Sequence, residues 1–160
     1  MNSPKPVTET ILKSESPQAT FEFGEKLSRG LRPGDVLLLH GGLGAGKTLL
    51  TKGIMSGLDF DVDEVTSPSF ALVNLYRTTK FDVYHIDLWR IEKSENAAFE
   101  IGLDEILNEP NAVVIIEWAE RLGEHKFASR VIDIQIDGDG EDPRDITVET
   151  LEPAAAIGVH

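Results

Sequence analysis

Apolar residues along this chain fall into short unbroken runs and short alternating ones. VLLLH at 36–40 and NAVVIIEW at 111–118 are continuous apolar runs bounded by turn residues, the pattern of strands buried on both faces. FDVYHIDLW at 81–89 alternates, with Phe81, Val83, His85 and Asp87 on one face and Asp82, Tyr84, Ile86 and Leu88 on the other. ALVNLY at 71–76 precedes it across Arg77-Thr78-Thr79-Lys80, so the pair predicts an antiparallel hairpin. TETILKS at 8–14 predicts a first strand, while RVIDIQI at 130–136 and DITVETL at 145–151 predict edge strands joined by a polar loop. Ser16-Pro17 supplies a helix cap and a first-turn proline, and the helix runs to about Arg29 with Ala19, Phe23 and Leu27 on one face. Helical spacing returns through Leu49, Leu50, Ile54 and Leu58, despite Gly53 and Gly57, and again over 94–108 with a break near Gly102. The segment 60–70 mixes acids, hydroxyls and Pro68 and reads as a loop at least as far as that proline.

Between the first buried-type strand and its helix stands HGGLGAGKT, residues 40–48. Gly41-x-x-x-x-Gly46-Lys47-Thr48 satisfies the Walker A pattern, and the strand–loop–helix order is the context that pattern requires. Its glycines allow consecutive backbone N–H groups to turn inward around a phosphate, and the helix N-terminus adds positive potential. Gly41, Gly42, Leu43, Gly44, Ala45, Gly46, Lys47, Thr48 and Leu49 are therefore the candidate nucleotide-binding residues, with Lys47 reaching the β- and γ-phosphates and the Thr48 hydroxyl meeting Mg2+.

Charge sharpens this picture. The chain carries 15 Lys+Arg against 28 Asp+Glu, a formal net charge of −13 over 160 residues, and no 5–8-residue basic cluster. A molecule of that sign repels a polyanion, so direct tight binding to nucleic acid by this chain alone is not expected. A phosphate loop does not require a basic protein, because backbone dipoles, one lysine and a metal ion do the local work. Cysteine is absent, which rules out disulfides and Cys-ligated metal. The N-terminal MNSPKPVTETILKSES has no apolar core of a signal peptide, and the expectation is a cytoplasmic protein. The length suits a single P-loop domain over 1–151 with a loose tail at 152–160.

A P-loop needs an acid to help hold Mg2+, and transfer to water needs a group that places the water. Asp87 and Glu117 both end apolar strands, where ligands sit in an open α/β sheet, so both are candidate catalytic and metal-binding acids beside Lys47. His85 faces the same way as Asp87 and reads as a satisfied polar residue beside the site. Trp89 and Trp118 read first as packing residues. Arg77, Lys80, Arg90 and Arg121 read as solvated charges, and as the first places to seek a partner contact. A small-molecule kinase on the same fold is the alternative reading, but only Lys93, Arg121 and Lys126 lie near a possible lid. A GTPase would need an Asn-Lys-x-Asp guanine reader, which the chain lacks.

Taken in order, GGLGAGKT, VTSPSFALVNLY, YHIDLWRI, GLDEIL and VVIIEWAER resemble the TsaE (YjeE) family, bacterial P-loop ATPases needed to make threonylcarbamoyladenosine in tRNA. The likeness covers roughly residues 16–136. It implies an α/β, P-loop NTPase-like three-layer fold with a central mixed sheet flanked by helices. It also implies an ATP- and Mg2+-dependent accessory protein acting on TsaD- and TsaB-like partners that hold most of the tRNA. Residue by residue, Lys47 falls on the family's phosphate lysine, Thr48 on its magnesium ligand, and Gly44, Ala45 and Gly46 on its loop contacts. Thr66, Ser67, Pro68 and Ser69 fall on its switch-like loop, Asp87 on a required acid, and Glu117-Trp118 on its Glu-Trp segment, the Glu as magnesium ligand. Arg130 and the 16–20 stretch fall where the family approaches adenine. Ser69, Ile86 and Trp89 depart from the usual Thr, Phe and Tyr but keep a hydroxyl, an apolar and an aromatic group. Hydrolysis is expected to be weak in the isolated chain, since no arginine finger can be assigned within it.

Overall fold

A computed structural model describes residues 6–42, 44–66, 73–91, 96–123 and 125–153. Along the chain run β1 (Pro6–Ser14), α1 (Pro17–Ser28), β2 (Val36–His40), α2 (Lys47–Gly57), a 3₁₀ turn (Val62–Glu64) and β3 (Val73–Arg77). There follow β4 (Asp82–Asp87), α3 (Ala97–Glu100), α4 (Leu103–Leu107), β5 (Ala112–Glu117), a second 3₁₀ turn (Ala119–Leu122), β6 (Val131–Asp137) and β7 (Arg144–Leu151). The strands form one mixed sheet in the order β1-β7-β6-β2-β5-β4-β3. Its centre, β4-β5-β2-β6, is parallel, and the flanking pairs β3/β4, β6/β7 and β1/β7 are antiparallel.

Burial explains the centre. All six residues of β5 are buried, and alternate side chains feed two cores, Val113 and Ile115 on one face, Val114 and Ile116 on the other. The first core also takes Leu37, Leu39, Leu50 and Ile54 and lies under α1 and α2; the second takes Val36, Ile86 and Leu103 and lies under α3 and α4. The result is the three-layer α/β arrangement expected. The predicted hairpin is present as β3 and β4, and the helix over 94–108 is indeed divided at Gly102, whose φ of +69° leaves the helical region. Residues 94 and 95, at the start of that expectation, lie outside the described residues, as do 154–160 of the predicted tail.

Two expectations are corrected. First, β6 and β7 are not edge strands: β6 lies between β2 and β7, and β7 lies between β6 and β1, so the edges are β1 and β3. The polar alternation of β7 suggested an exposed position, but β1 pairs along it from Thr8↔Thr150 to Ser14↔Arg144. Second, α1 buries Thr20, Gly24 and Ser28 most deeply, while Phe23 and Leu27 only half enter the core. Here α2 comes too close for larger residues: a Cβ at Gly53 would stand 2.1 Å from the Phe21 carbonyl oxygen, and one at Gly57 2.0 Å from Ser28 Oγ. The predicted cap is present, the Ser16 side chain accepting from the Ala19 amide at 3.1 Å with Pro17 opening the helix.

Candidate nucleotide site

The glycine loop leaves the C-terminal end of β2, packed beneath by β6. Gly41 has φ +153°, and a Cβ there would meet the Ile136 carbonyl oxygen at 2.7 Å, so only glycine lets the chain turn off the strand. At the other end of the loop, Gly46 takes a left-handed conformation (φ +119°) and opens α2 with no side-chain cap. The first amides of α2 are thus left to a ligand rather than to a neighbouring side chain. Leu43 lies outside the described residues.

Lys47, the first residue of α2, is 5% exposed. Its Nζ donates to the Gly41 and Gly42 carbonyls at 2.8 Å each and sits 4.0 Å above the Trp118 ring. Burial lowers its pKa, with Glu117, Glu120 and Asp87 acting against that shift. Thr48 turns its hydroxyl to Glu117, donating to Oε1 at 3.1 Å.

Asp87 and Glu117 are the last residues of adjacent parallel strands and stand directly beside each other in register. Both are nearly closed off, at 8% and 2% exposure. Glu117 Oε2 accepts from His85 Nε2 at 2.6 Å and from Thr51 Oγ1 at 3.3 Å. Burial pushes the Asp87 carboxyl up, the Trp89 amide bonded to Oδ1 at 2.9 Å opposes that, and the charge of Glu117 adds to the rise. Both acids line the cleft but they differ: Glu117 is held by Thr48, Thr51 and His85, while Asp87 is bonded by the Trp89 amide and raised by burial. Among the described residues no three His, Cys, Asp or Glu side chains gather into a self-contained metal cage. Thr48 Oγ1 and the Glu117 carboxylate are nevertheless hard oxygen ligands 3.1 Å apart, the donor type Mg2+ takes when phosphate and water complete its shell.

These groups line one end of a cleft of about 760 Å³. Gly44 through Leu49, Asp87, Glu117 and Trp118 are among its walls, so most of the predicted site converges there. Trp118, half-buried and packed against the second core as the packing reading expected, pairs with Trp89 at a 4.5 Å centroid separation. Arg121, read as a solvated charge, is instead pinned by NH1 to the Trp89 and Ile91 carbonyls at 2.8 Å each and lies over both rings.

Arg130 does not join the site. It stands just before β6, at the end of the parallel strands opposite the glycine loop, where Nε bonds Asp35 Oδ1 at 2.9 Å and NH2 bonds the Gly30 carbonyl at 2.8 Å. The family resemblance placed it near adenine; its pairing with Asp35 places it in a structural lock. Arg90 and Arg144 both line the cleft; the latter, the first residue of β7, donates to Ala45 O at 2.9 Å and Gly44 O at 3.2 Å. With Ser14, Glu15, Gly140, Glu141 and Asp142 it forms a wall the sequence reading did not assign. The available signal was the Gly/Asp/Pro-rich turn at 137–143 ending in a lone arginine. The 16–20 stretch does reach the cleft, through Ser16, Pro17 and Thr20. Thr66 hydrogen-bonds Tyr76, while Ser67, Pro68 and Ser69 lie outside the described residues.

A family model for threonylcarbamoyl adenosine biosynthesis protein TsaE matches residues 14–146. The tRNA threonylcarbamoyladenosine biosynthesis protein TsaE of Rickettsia prowazekii (strain Madrid E) is 35% identical over 121 residues, covering 76% of this chain and 81% of the relative. Its counterpart in Bacillus subtilis (strain 168) is 34% identical over 135 residues, covering 84% and 82%. The crystal structure of Bacillus subtilis YdiB superposes with a TM-score of 0.70 at 30% identity, covering 94% of this chain and 88% of that one.

Proposed function

Because the chain belongs to the TsaE family, whose members are named for tRNA threonylcarbamoyladenosine biosynthesis, we propose that it is the Mg2+-dependent ATPase accessory of that modification. The observation that carries the reading is the meeting of Lys47, Thr48 and Glu117 at one end of the cleft, with Thr48 Oγ1 3.1 Å from the carboxylate. Amides at the start of α2 accept the phosphate charge, Lys47 leaves the Gly41 and Gly42 carbonyls for the β- and γ-phosphates, and Thr48 and Glu117 hold the metal. A Mg2+ ion held by Thr48 and Glu117 would supply positive charge against the phosphates. Asp87, raised by burial and beside Glu117, is the acid placed to orient a water. Ser14–Pro17 and the 140–144 wall enclose the rest of the nucleotide.

Arg144, in the cleft wall, gives Nε to the Ala45 carbonyl and NH2 to the Gly44 carbonyl, and Arg121 gives NH1 to the Trp89 and Ile91 carbonyls; these tethers support slow hydrolysis by the isolated chain and completion of the site by TsaD- and TsaB-like partners. The net charge of −13 supports a division in which the partners hold the tRNA and the chain works in the cytoplasm beside them. Phosphate release measured with the chain alone, then with TsaD- and TsaB-like proteins and tRNA, tests the reading. A rate that rises only in the mixture, and modification that fails with Lys47→Ala, is the expected result. Normal threonylcarbamoyladenosine levels with Lys47→Ala would refute it.

A further inference from the structure

His85 and Tyr76 do not line the cleft, yet they are joined to its metal-binding end by an unbroken line of hydrogen bonds. His85 is fully buried at the middle of β4. Its Nε2 meets Glu117 Oε2 at 2.6 Å and its Nδ1 meets the Tyr76 hydroxyl at 3.3 Å. That hydroxyl in turn lies 3.3 Å from the Thr66 amide and 3.2 Å from the Thr66 carbonyl oxygen, and Asn74 Nδ2 donates to both it and the Thr66 carbonyl. The line therefore begins at the carboxylate and ends on the main chain at Thr66, with the Phe60 ring 5.1 Å from that of Tyr76 holding the phenol in place.

Proton arithmetic gives this line a purpose. Glu117 can only accept, so Nε2 supplies the hydrogen and a neutral ring then presents Nδ1 as an acceptor. The phenol has one hydrogen and two acceptors within reach, His85 Nδ1 and the Thr66 carbonyl oxygen. Donating to His85 leaves the phenol oxygen to accept from the Thr66 amide; donating to Thr66 leaves a fully buried ring nitrogen unpaired, a costly state. Thr51 can turn its single hydroxyl hydrogen to the Lys47 carbonyl at 3.0 Å instead, whereas His85 Nε2, at 2.6 Å, makes a shorter contact with the carboxylate than Thr48 at 3.1 Å or Thr51 at 3.3 Å.

We propose that His85 and Tyr76 are positioning residues that orient the Glu117 carboxylate for the metal and couple it to the main chain at Thr66. The coupling runs both ways, since a bias placed at one end of such a line is felt equally at the other. This inference rests on the magnesium–nucleotide reading of the site above.

The test uses the full chain, as wild type and as His85→Leu, His85→Gln and Tyr76→Phe. ADP affinity in the presence of a chelator reports nucleotide binding without metal. Mn2+ affinity of the ADP complex, read by electron paramagnetic resonance, reports the metal site, and the Thr66 amide signal reports the far end. His85→Leu is expected to weaken Mn2+ binding about 10-fold, the usual scale for removing a group that holds a metal ligand. Its metal-free ADP affinity should match wild type, and His85→Gln, which restores a donor, should recover most of the loss. In Tyr76→Phe the Thr66 amide should no longer shift when Mg2+ is added to the ADP complex, as it does in wild type. Unchanged Mn2+ affinity in His85→Leu overturns the proposal. Should that variant fail to fold, a Tyr76→Phe chain with wild-type Mn2+ affinity and a wild-type Thr66 response overturns it equally. A wild-type chain that binds no ADP at all brings down the nucleotide reading together with the inference, a result distinct from loss of coupling alone.

Discussion

Trp118 stands in a left-handed backbone conformation, φ 59° and ψ 42°, which an aromatic residue enters at a cost of about 1–3 kcal/mol. Such strain persists where neighbours fix it, and here the ring is fixed by Lys47 on one side and by Trp89 and Arg121 on the other. If Lys47 moves to phosphate on binding, the ring loses its cation. The chain has 2 tryptophans, so in Trp89→Phe the emission belongs to Trp118 alone, and titration with magnesium ATP is expected to change it. Constant emission through saturation would show that Lys47 stays where it is. A second residue-scale prediction concerns Arg144, whose bonds to the Gly44 and Ala45 carbonyls steady the loop. Arg144→Ala should weaken nucleotide binding about 10-fold by calorimetry, the lower end of the scale for one hydrogen bond from a charged donor. Lys47, Thr48, Glu117 and Asp87 were legible because the Walker spacing and the strand ends confine them. Arg144 was not, since its role comes from β7 lying beside β6, and Arg130 misled because nothing local reveals its pairing with Asp35 across 95 positions.

At the scale of elements, α1 and α2 touch through residues without bulk. Gly53 and Gly57 sit in a helix where glycine costs about 1 kcal/mol each, so an alanine should stabilise unless space forbids it. Space does forbid it at Gly53, where the nearest atoms to a new Cβ are the Phe21 backbone. Gly53→Ala is predicted to lower stability by about 1–3 kcal/mol in urea unfolding; a rise would contradict the packing described. The helical period was readable through these glycines, but their reason was not, because it lies in the other helix. Likewise β6 and β7 read as edges until β7 is seen to pair with β6 and β1 to cover β7. His40 links three elements, with Nε2 2.6 Å from Asp133 of β6 and Nδ1 3.4 Å from Glu120 of the second 3₁₀ turn, although the angle leaves Asp133 Oδ1 without a well-directed donor. Burial pulls its pKa down, but Asp133 and then Glu120 outweigh this and hold it above the ordinary 6.5. A raised folded-state pKa contributes stability that is complete below about 6.5 and lost as pH rises through the folded value. The stability difference between wild type and His40→Gln should therefore shrink from pH 6 to pH 9 in paired denaturant series; a difference that grows would contradict the ion-pair account.

For the whole molecule, an excess of 13 negative charges surrounds a cleft for which we propose an anionic nucleotide. In the proposed reading, fixed dipoles at the start of α2, a lysine buried against an aromatic face and a divalent cation held by Thr48 and Glu117 would resolve that conflict locally, at the carboxyl ends of β2, β4 and β5. The fold class followed from the order of buried runs, turns and helical periods, while the strand order required long-range pairing that no local pattern carries. Calorimetric titration of the chain with magnesium ATP is the most direct test. Saturable heat with one nucleotide per chain, lost in Lys47→Ala while the fold remains, is the predicted result. No heat of binding from a demonstrably native wild-type chain would contradict the account.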